Sequence, residues 1–155
     1  MKRMTRAMVA LAAGAAAAVL ALPATSANAN PANEWGPYYS QNDLARVKGT
    51  IDISWNHQQT SNNVRVTGQL WDDDSRYYKH GGKCAYVKFQ VTNLYSHHWY
   101  TIKKYQHCGF DTAKHFAFGK KHVSSLRFKV CQIHHKTKHV SDCGDWNYLY
   151  TAENE

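Results

Sequence analysis

Ten histidines are the residues best equipped to do chemistry in this chain. Three of them, His134, His135 and His139, lie between Cys131 and Cys143 in the segment CQIHHKTKHVSDCG. Thiolates and imidazoles at close spacing are donors of the kind that hold zinc or copper. His135 and His139 are also four apart, which aims two imidazoles at one ion when the backbone is helical. Against a metal, Lys136 and Lys138 are interleaved with the histidines, and ammonium groups repel a cation. The chain has no CxxC pair, and a thiolate site requires reduced cysteines. The other reading is a basic loop tied off by a disulfide.

The compartment decides between the two. Lys2, Arg3 and Arg6 open the chain, an Ala-, Val- and Leu-rich run follows from Met8 to about Leu22, and Pro23 interrupts it before Ala27-Asn28-Ala29. A basic start, an apolar middle and an A-x-A site make a secretory signal peptide over residues 1–29, with cleavage after Ala27 as the alternative. The apolar run falls short of the roughly 18–20 residues that a spanning helix needs, and no second one follows. The expected product is a secreted, extracellular protein with no membrane span after processing. In an oxidising compartment Cys84, Cys108, Cys131 and Cys143 are expected to form two disulfides. Cys84–Cys108 and Cys131–Cys143 would each close a hairpin, at roughly 3 kcal/mol each by denatured-state entropy. Cys84–Cys131 across neighbouring strands is the main alternative. No metal site and no cofactor is expected.

Catalytic patterns are thin. There is no G-x-S-x-G elbow, and the glutamates are Glu34, Glu153 and Glu155, all near the ends of the mature chain. A glycosidase pair would have to use aspartates such as Asp52, Asp111 or Asp145. Two imidazoles could serve as acid and base of a metal-independent ribonuclease, but ten histidines make such a pair easy to find. Asp72-Asp73-Asp74-Ser75 is oxygen-rich enough to evoke calcium, but it lacks the spacing of a calcium loop and reads as a solvated turn.

The surface character says more. Removing Lys2, Arg3 and Arg6 with the signal lowers the formal charge from +8 to +5, and all ten histidines remain to add positive charge in mild acid. Tyr77, Tyr78, Trp99 and Tyr100 fall outside the aliphatic stripes and stand near Lys103 and Lys104. Rings beside cations suit sugars or anionic polymers, and nucleic acid stays open. These six residues, with His134, His135 and His139, are the candidate contact set. The bland reading is that the rings cover a small core while the lysines keep it soluble.

The elements that must position these groups are strands. Residues 30–45 read as an irregular arm, and residues 46–155 as one β domain. Val47, Gly49, Ile51 and Ile53 alternate with polar residues, as do Val64, Val66, Gly68 and Leu70. The same period of two recurs in Cys84–Leu94 and through Leu126, Phe128 and Val130. Trp99–Tyr105, Phe116–Phe118 (stopped by Gly119) and Trp146–Tyr150 complete about seven strands. No helical stripe appears. The expected fold is all-β: a single-domain antiparallel β-sandwich or small barrel with two disulfides. Cys84 and Cys131 sit at the parity opposite to the aliphatic stripes, so their sulfurs should lie off the main core.

Taken in order, the leader to Ala29, VTGQLWDDDS, GKCAYVKFQV, HCGF, FKVCQI and DCGDW resemble the small secreted actinobacterial disulfide-containing β-proteins of unassigned function. The resemblance spans roughly Val64 to Trp146 and implies no activity and no site residue. A subtilisin-inhibitor reactive loop, a guanyl-specific ribonuclease pattern and a βγ-crystallin repeat are missing. The sequence therefore leads to a secreted, cationic, non-catalytic binding protein, expected as a monomer, with anionic or carbohydrate polymers as partners. A small secreted hydrolase of ribonuclease type is the alternative. An inhibitor or toxin presenting a loop such as Ser141 to Asp145 is the third.

Overall fold

A computed structural model describes residues 33–152; the expected signal peptide lies outside the described residues. The strands are β1 (Asn33–Tyr39), β2 (Ala45–Trp55), β3 (Asn62–Asp72), β4 (Cys84–Asn93), β5 (Ser96–His107), β6 (Ala113–Lys121), β7 (Val123–Ile133), β8 (Val140–Ser141) and β9 (Asn147–Thr151). They form two antiparallel sheets, a four-stranded one in the order β1-β2-β3-β6 and a five-stranded one in the order β5-β4-β7-β8, with β9 also on β7. The fold is an antiparallel β-sandwich. No helix among the described residues is long and apolar enough to cross a membrane.

Alternation makes the sandwich. Val47 and Ile51 of β2, Val64, Val66 and Leu70 of β3, Val87, Phe89 and Val91 of β4 and Leu126, Phe128 and Val130 of β7 all point into one shared core. Two of the core positions carry no side chain. Trp35, Gly49, Gly68 and Phe116 face one another in register across β1, β2, β3 and β6. The bare glycines make room for two large rings, which lie over them. A Cβ on Gly68 would run into the Phe116 ring, and one on Gly49 would overlap the Thr67 carbonyl. From the opposite sheet Phe89 enters this region, with ring centroids 6.4 Å from Trp35, 5.6 Å from Phe116, 4.9 Å from Phe118 and 5.8 Å from Phe128.

Two expectations need correction. The arm is not irregular throughout, because residues 33–39 pair with β2 as an edge strand. Its register slips between Trp35 and Tyr38, at Gly36, which adopts φ +88°. That bulge lets Trp35 and Tyr38, three residues apart, both reach the core and hides the period of two. Gly119 does not stop β6 either. It pairs with Arg65, and the strand continues to Lys121 before turning at His122.

The disulfides are Cys84–Cys108 and Cys131–Cys143. Cys84 and Cys131 leave the main core for a smaller cluster with Tyr86 and Ile133, as their parity required. The segment between Cys131 and Cys143 is a hairpin: Ile133 pairs with Val140, and the His134 N–H donates to the His139 carbonyl at 2.8 Å.

Candidate functional site

The five-stranded sheet has one face on the core and one away from it, and the second face has an uneven charge. Its five strands contain Lys88, Lys103, Lys104, Arg127 and Lys129 and not one Asp or Glu. The four-stranded sheet, by contrast, carries Glu34, Asp52 and Asp72. In the loop after β8, Asp142 is paired with Lys83 at 2.6 Å, and Asp145 is exposed just before Trp146.

Register gathers these cations. Lys88 lies directly opposite Lys104 on one side and Lys129 on the other. All three have the parity opposite to the core residues Val87, Phe89, Phe128 and Val130. Like charges directly opposite on neighbouring strands repel. Burial first, and then Lys104, Lys129 and Arg127, hold the Lys88 ammonium below the ordinary lysine range. Two indoles cover the group. The Arg127 guanidinium carbon sits 4.0 Å from the Trp99 ring centre and 4.2 Å from that of Trp146. Trp146 also lies under Lys88 at 5.2 Å and Lys129 at 4.9 Å. Such contacts hold cations in place without neutralising them. Arg127 is oriented further by Nε and Nη2, which donate to Gln90 Oε1 at 3.2 and 2.9 Å.

A second feature is a cleft of about 470 Å³ beside the Cys84–Cys108 bridge, lined in part by Asp72, Arg76, Tyr77, Tyr78, Phe110 and His135. The aspartate run beside it is not the solvated turn expected from sequence. Asp72 and Asp74 are each only 4% exposed. Asp72 accepts hydrogen bonds from the Asp74 and Gly109 amides, which ties the loop after β5 to the end of β3. Asp74 accepts from Arg76, the Lys83 amide and Gln132. With its oxygens committed in this way, the run offers little to a calcium ion.

No family model, curated protein or solved structure matches this chain. The reading of the site therefore rests on its chemistry.

That chemistry does not favour a metal. The sulfurs of Cys84 and Cys108 and a ring nitrogen of His135 lie within 4.8 Å of one another. Both sulfurs are spent in the disulfide, which leaves the imidazole as the donor at that spot. The ring of His135 instead stacks on Tyr78, with centroids 5.7 Å apart.

The candidate contact set does not form one surface. Trp99 and Lys104 belong to the cationic face. Tyr77, Tyr78 and His135 line the cleft. Tyr100 lies instead beside Lys120 of β6, 5.5 Å from its ring centre. Lys103 sits at a bulge in β5 and is exposed. The His134 Nδ1 accepts from the Lys136 and Thr137 amides and so shapes the turn, while His139 is exposed. Lys88, Arg127, Lys129, Trp146 and Tyr148 escaped sequence reasoning as site residues. The available signal was parity: Lys88, Arg127 and Lys129 alternate with the aliphatic stripe.

The buried carboxyls give opposite pH responses. Burial pushes Asp72 up from 3.8 to about 6, against the pull of its two amide donors. Its folded form binds a proton that the unfolded chain does not hold between these values, so its contribution to stability rises as pH falls from about 6 to 4. Against the cost of burial, the hydrogen bonds from Arg76 and the Lys83 amide bring Asp74 down to about 2, so its contribution is lost below about pH 4. Denaturant unfolding of wild type and Asp72→Asn at pH 7, 5 and 4 checks the first sign. Wild type should gain on the variant as pH drops; a constant difference would refute the assignment.

Proposed function

We propose that this is an exported, non-catalytic protein that binds anionic or carbohydrate polymers through the outer face of its five-stranded sheet. One observation carries the reading: five cations and no carboxylate in five strands, with Lys88 opposite Lys104 and Lys129. Repulsion between aligned lysines works against folding, so a partner that supplies negative charge resolves it. The signal peptide and the two disulfides support export.

Titration with dextran sulfate tests the reading. A lysine beside an anionic surface contributes about 1 kcal/mol, so Lys88→Gln with Lys129→Gln should weaken binding about 30-fold. Lys120→Gln, on the other sheet, should leave it unchanged. Equal losses from both would mean that binding follows net charge and not this face.

Stability should move the other way. Lys88→Gln removes a repelled, partly buried ammonium, so its Tm should equal or exceed that of wild type while binding falls. A clear drop in Tm, read by calorimetry, would make Lys88 a structural residue.

The hydrolase alternative has one observation in its favour, the cleft that holds Asp72 near His135. The hydrogen bonds of Asp72 already account for it as a loop anchor. Cleavage of labelled RNA under chelation, lost in His135→Ala, would restore that alternative.

A further inference from the structure

The rings on the cationic face are occupied, and that narrows the ligand. Arg127 lies against both Trp99 and Trp146, and Lys88 and Lys129 lie against Trp146 as well. Proteins that hold single-stranded nucleic acid rely on open aromatic platforms for the bases. Neutral sugars likewise need an open ring face. Here the indoles support cations instead. Tyr148, 58% exposed, packs edge-on against Trp99 and has no cation over its ring among the described residues.

The cations also differ in role. Arg127 spends Nε and Nη2 on Gln90, so that edge of its fork is closed to a phosphate. The anion readers are the lysines, which act as point charges. Lys104, Lys88 and Lys129 stand on three adjacent strands in one register row. Strands lie about 4.8 Å apart, so the row carries three charges over about 10 Å. A pyranose unit measured between its two glycosidic oxygens is comparable in length to one strand spacing. In an extended chain of acidic sugars successive units are turned by about half a revolution, so every second carboxylate faces the sheet, and a chain laid across the strands brings two of them to Lys104 and Lys129 with Lys88 between. Gln90 and Thr101, directly opposite each other and next to the row, are bonded to each other and keep one amide hydrogen and the hydroxyl hydrogen for a sugar.

We infer that the ligand of this face is an acidic polysaccharide, a chain of uronate sugars lying across β5, β4 and β7 with alternate carboxylates on Lys104 and Lys129 and Lys88 between them. The inference rests on the polymer-binding reading above, and its test separates the two. Calorimetric titrations at one low salt concentration would use polygalacturonate, its fully methyl-esterified form and polyuridylate. Polygalacturonate should bind, and the ester and the polyuridylate should each bind at least tenfold more weakly. Lys88→Gln should weaken polygalacturonate binding about fivefold with a Tm equal to or above that of wild type, and Tyr148→Ala about threefold. If Lys88→Gln fails to fold, Lys129→Gln carries the same test. Polyuridylate binding as tightly as polygalacturonate would overturn the polysaccharide assignment and leave the polymer-binding reading standing. Equal binding of the ester would overturn the lysine row as the reader. Binding of none of the three would overturn both.

Discussion

Phe89→Ala is expected to destabilise the protein by about 4 kcal/mol and to lower its Tm by about 15 °C. Phe89 is fully buried and lies between the sheets, against the rings of Trp35, Tyr105, Phe116, Phe118 and Phe128. Its neighbours cannot close on the vacated space. Trp35 and Phe116 are already seated over Gly49 and Gly68, and those glycines have no side chains to advance into it. The loss therefore combines transfer of a large ring with a cavity that persists. Phe89→Leu, which refills much of the volume, should cost about 1–2 kcal/mol. Equilibrium denaturation with both variants checks the pair. A loss below about 1 kcal/mol for Phe89→Ala would mean that the core relaxes around the site and that the ring is not its hub.

Gly49→Ala is the second large effect, at about 3 kcal/mol, although it adds one methyl group. Gly49 faces Trp35 on one side and Gly68 on the other. The new Cβ would lie 2.8 Å from both the Trp35 ring and the Gly68 Cα and would overlap the Thr67 carbonyl. Backbone on the neighbouring strand cannot move aside as a flexible side chain can. The methyl would therefore part β2 from β3 or expel Trp35 from the core. Gly119→Ala provides the contrast, since its Cβ would meet nothing closer than 3.8 Å. That variant should stay within about 0.5 kcal/mol of wild type. Equal Tm values for the two alanine variants would contradict the close seating of Trp35 and β3 on Gly49. A fall in Trp35 burial, read from tryptophan fluorescence in the Gly49→Ala protein, would show which way the strain is relieved.

Local pattern was enough for much of this architecture. The alternation in β2, β3, β4 and β7 marked the core face residue by residue, and it assigned Cys84 and Cys131 to the other side before any pairing was known. Hairpin closure favoured the two disulfides that form, although parity alone left Cys84–Cys131 open. What escaped depends on distance along the chain. Nothing near Lys88 states that Lys104 and Lys129 flank it, because register between strands is set by turns and bulges elsewhere. The β5 bulge beside Lys103 sets Thr101 and Lys104, three residues apart, opposite Gln90 and Lys88 on the same face, which regular alternation does not allow. β1 escaped for a related reason: the slip at Gly36 gives its two core rings a spacing that no regular strand has. Asp72 and Asp74 looked solvated because run composition says nothing about the amides that fold back onto them. Trp146 looked like the start of a last strand. It precedes that strand and lies over Lys88, Arg127 and Lys129 instead.

The position of Trp146 also sets an order of events in time. A chain made from its N-terminus produces β1 to β7, and with them Lys88, Lys104, Arg127 and Lys129, before residue 146 exists. Up to that moment Arg127 has only one of its two indoles, and β7 lacks the neighbour that β9 provides. Cys143, made just before Trp146, must also find Cys131 for the segment that carries Trp146 to be fixed alongside. The proposed binding face is thus completed only once Trp146 is in place, and a chain cut before that residue would present Lys88 and Lys129 without their indole.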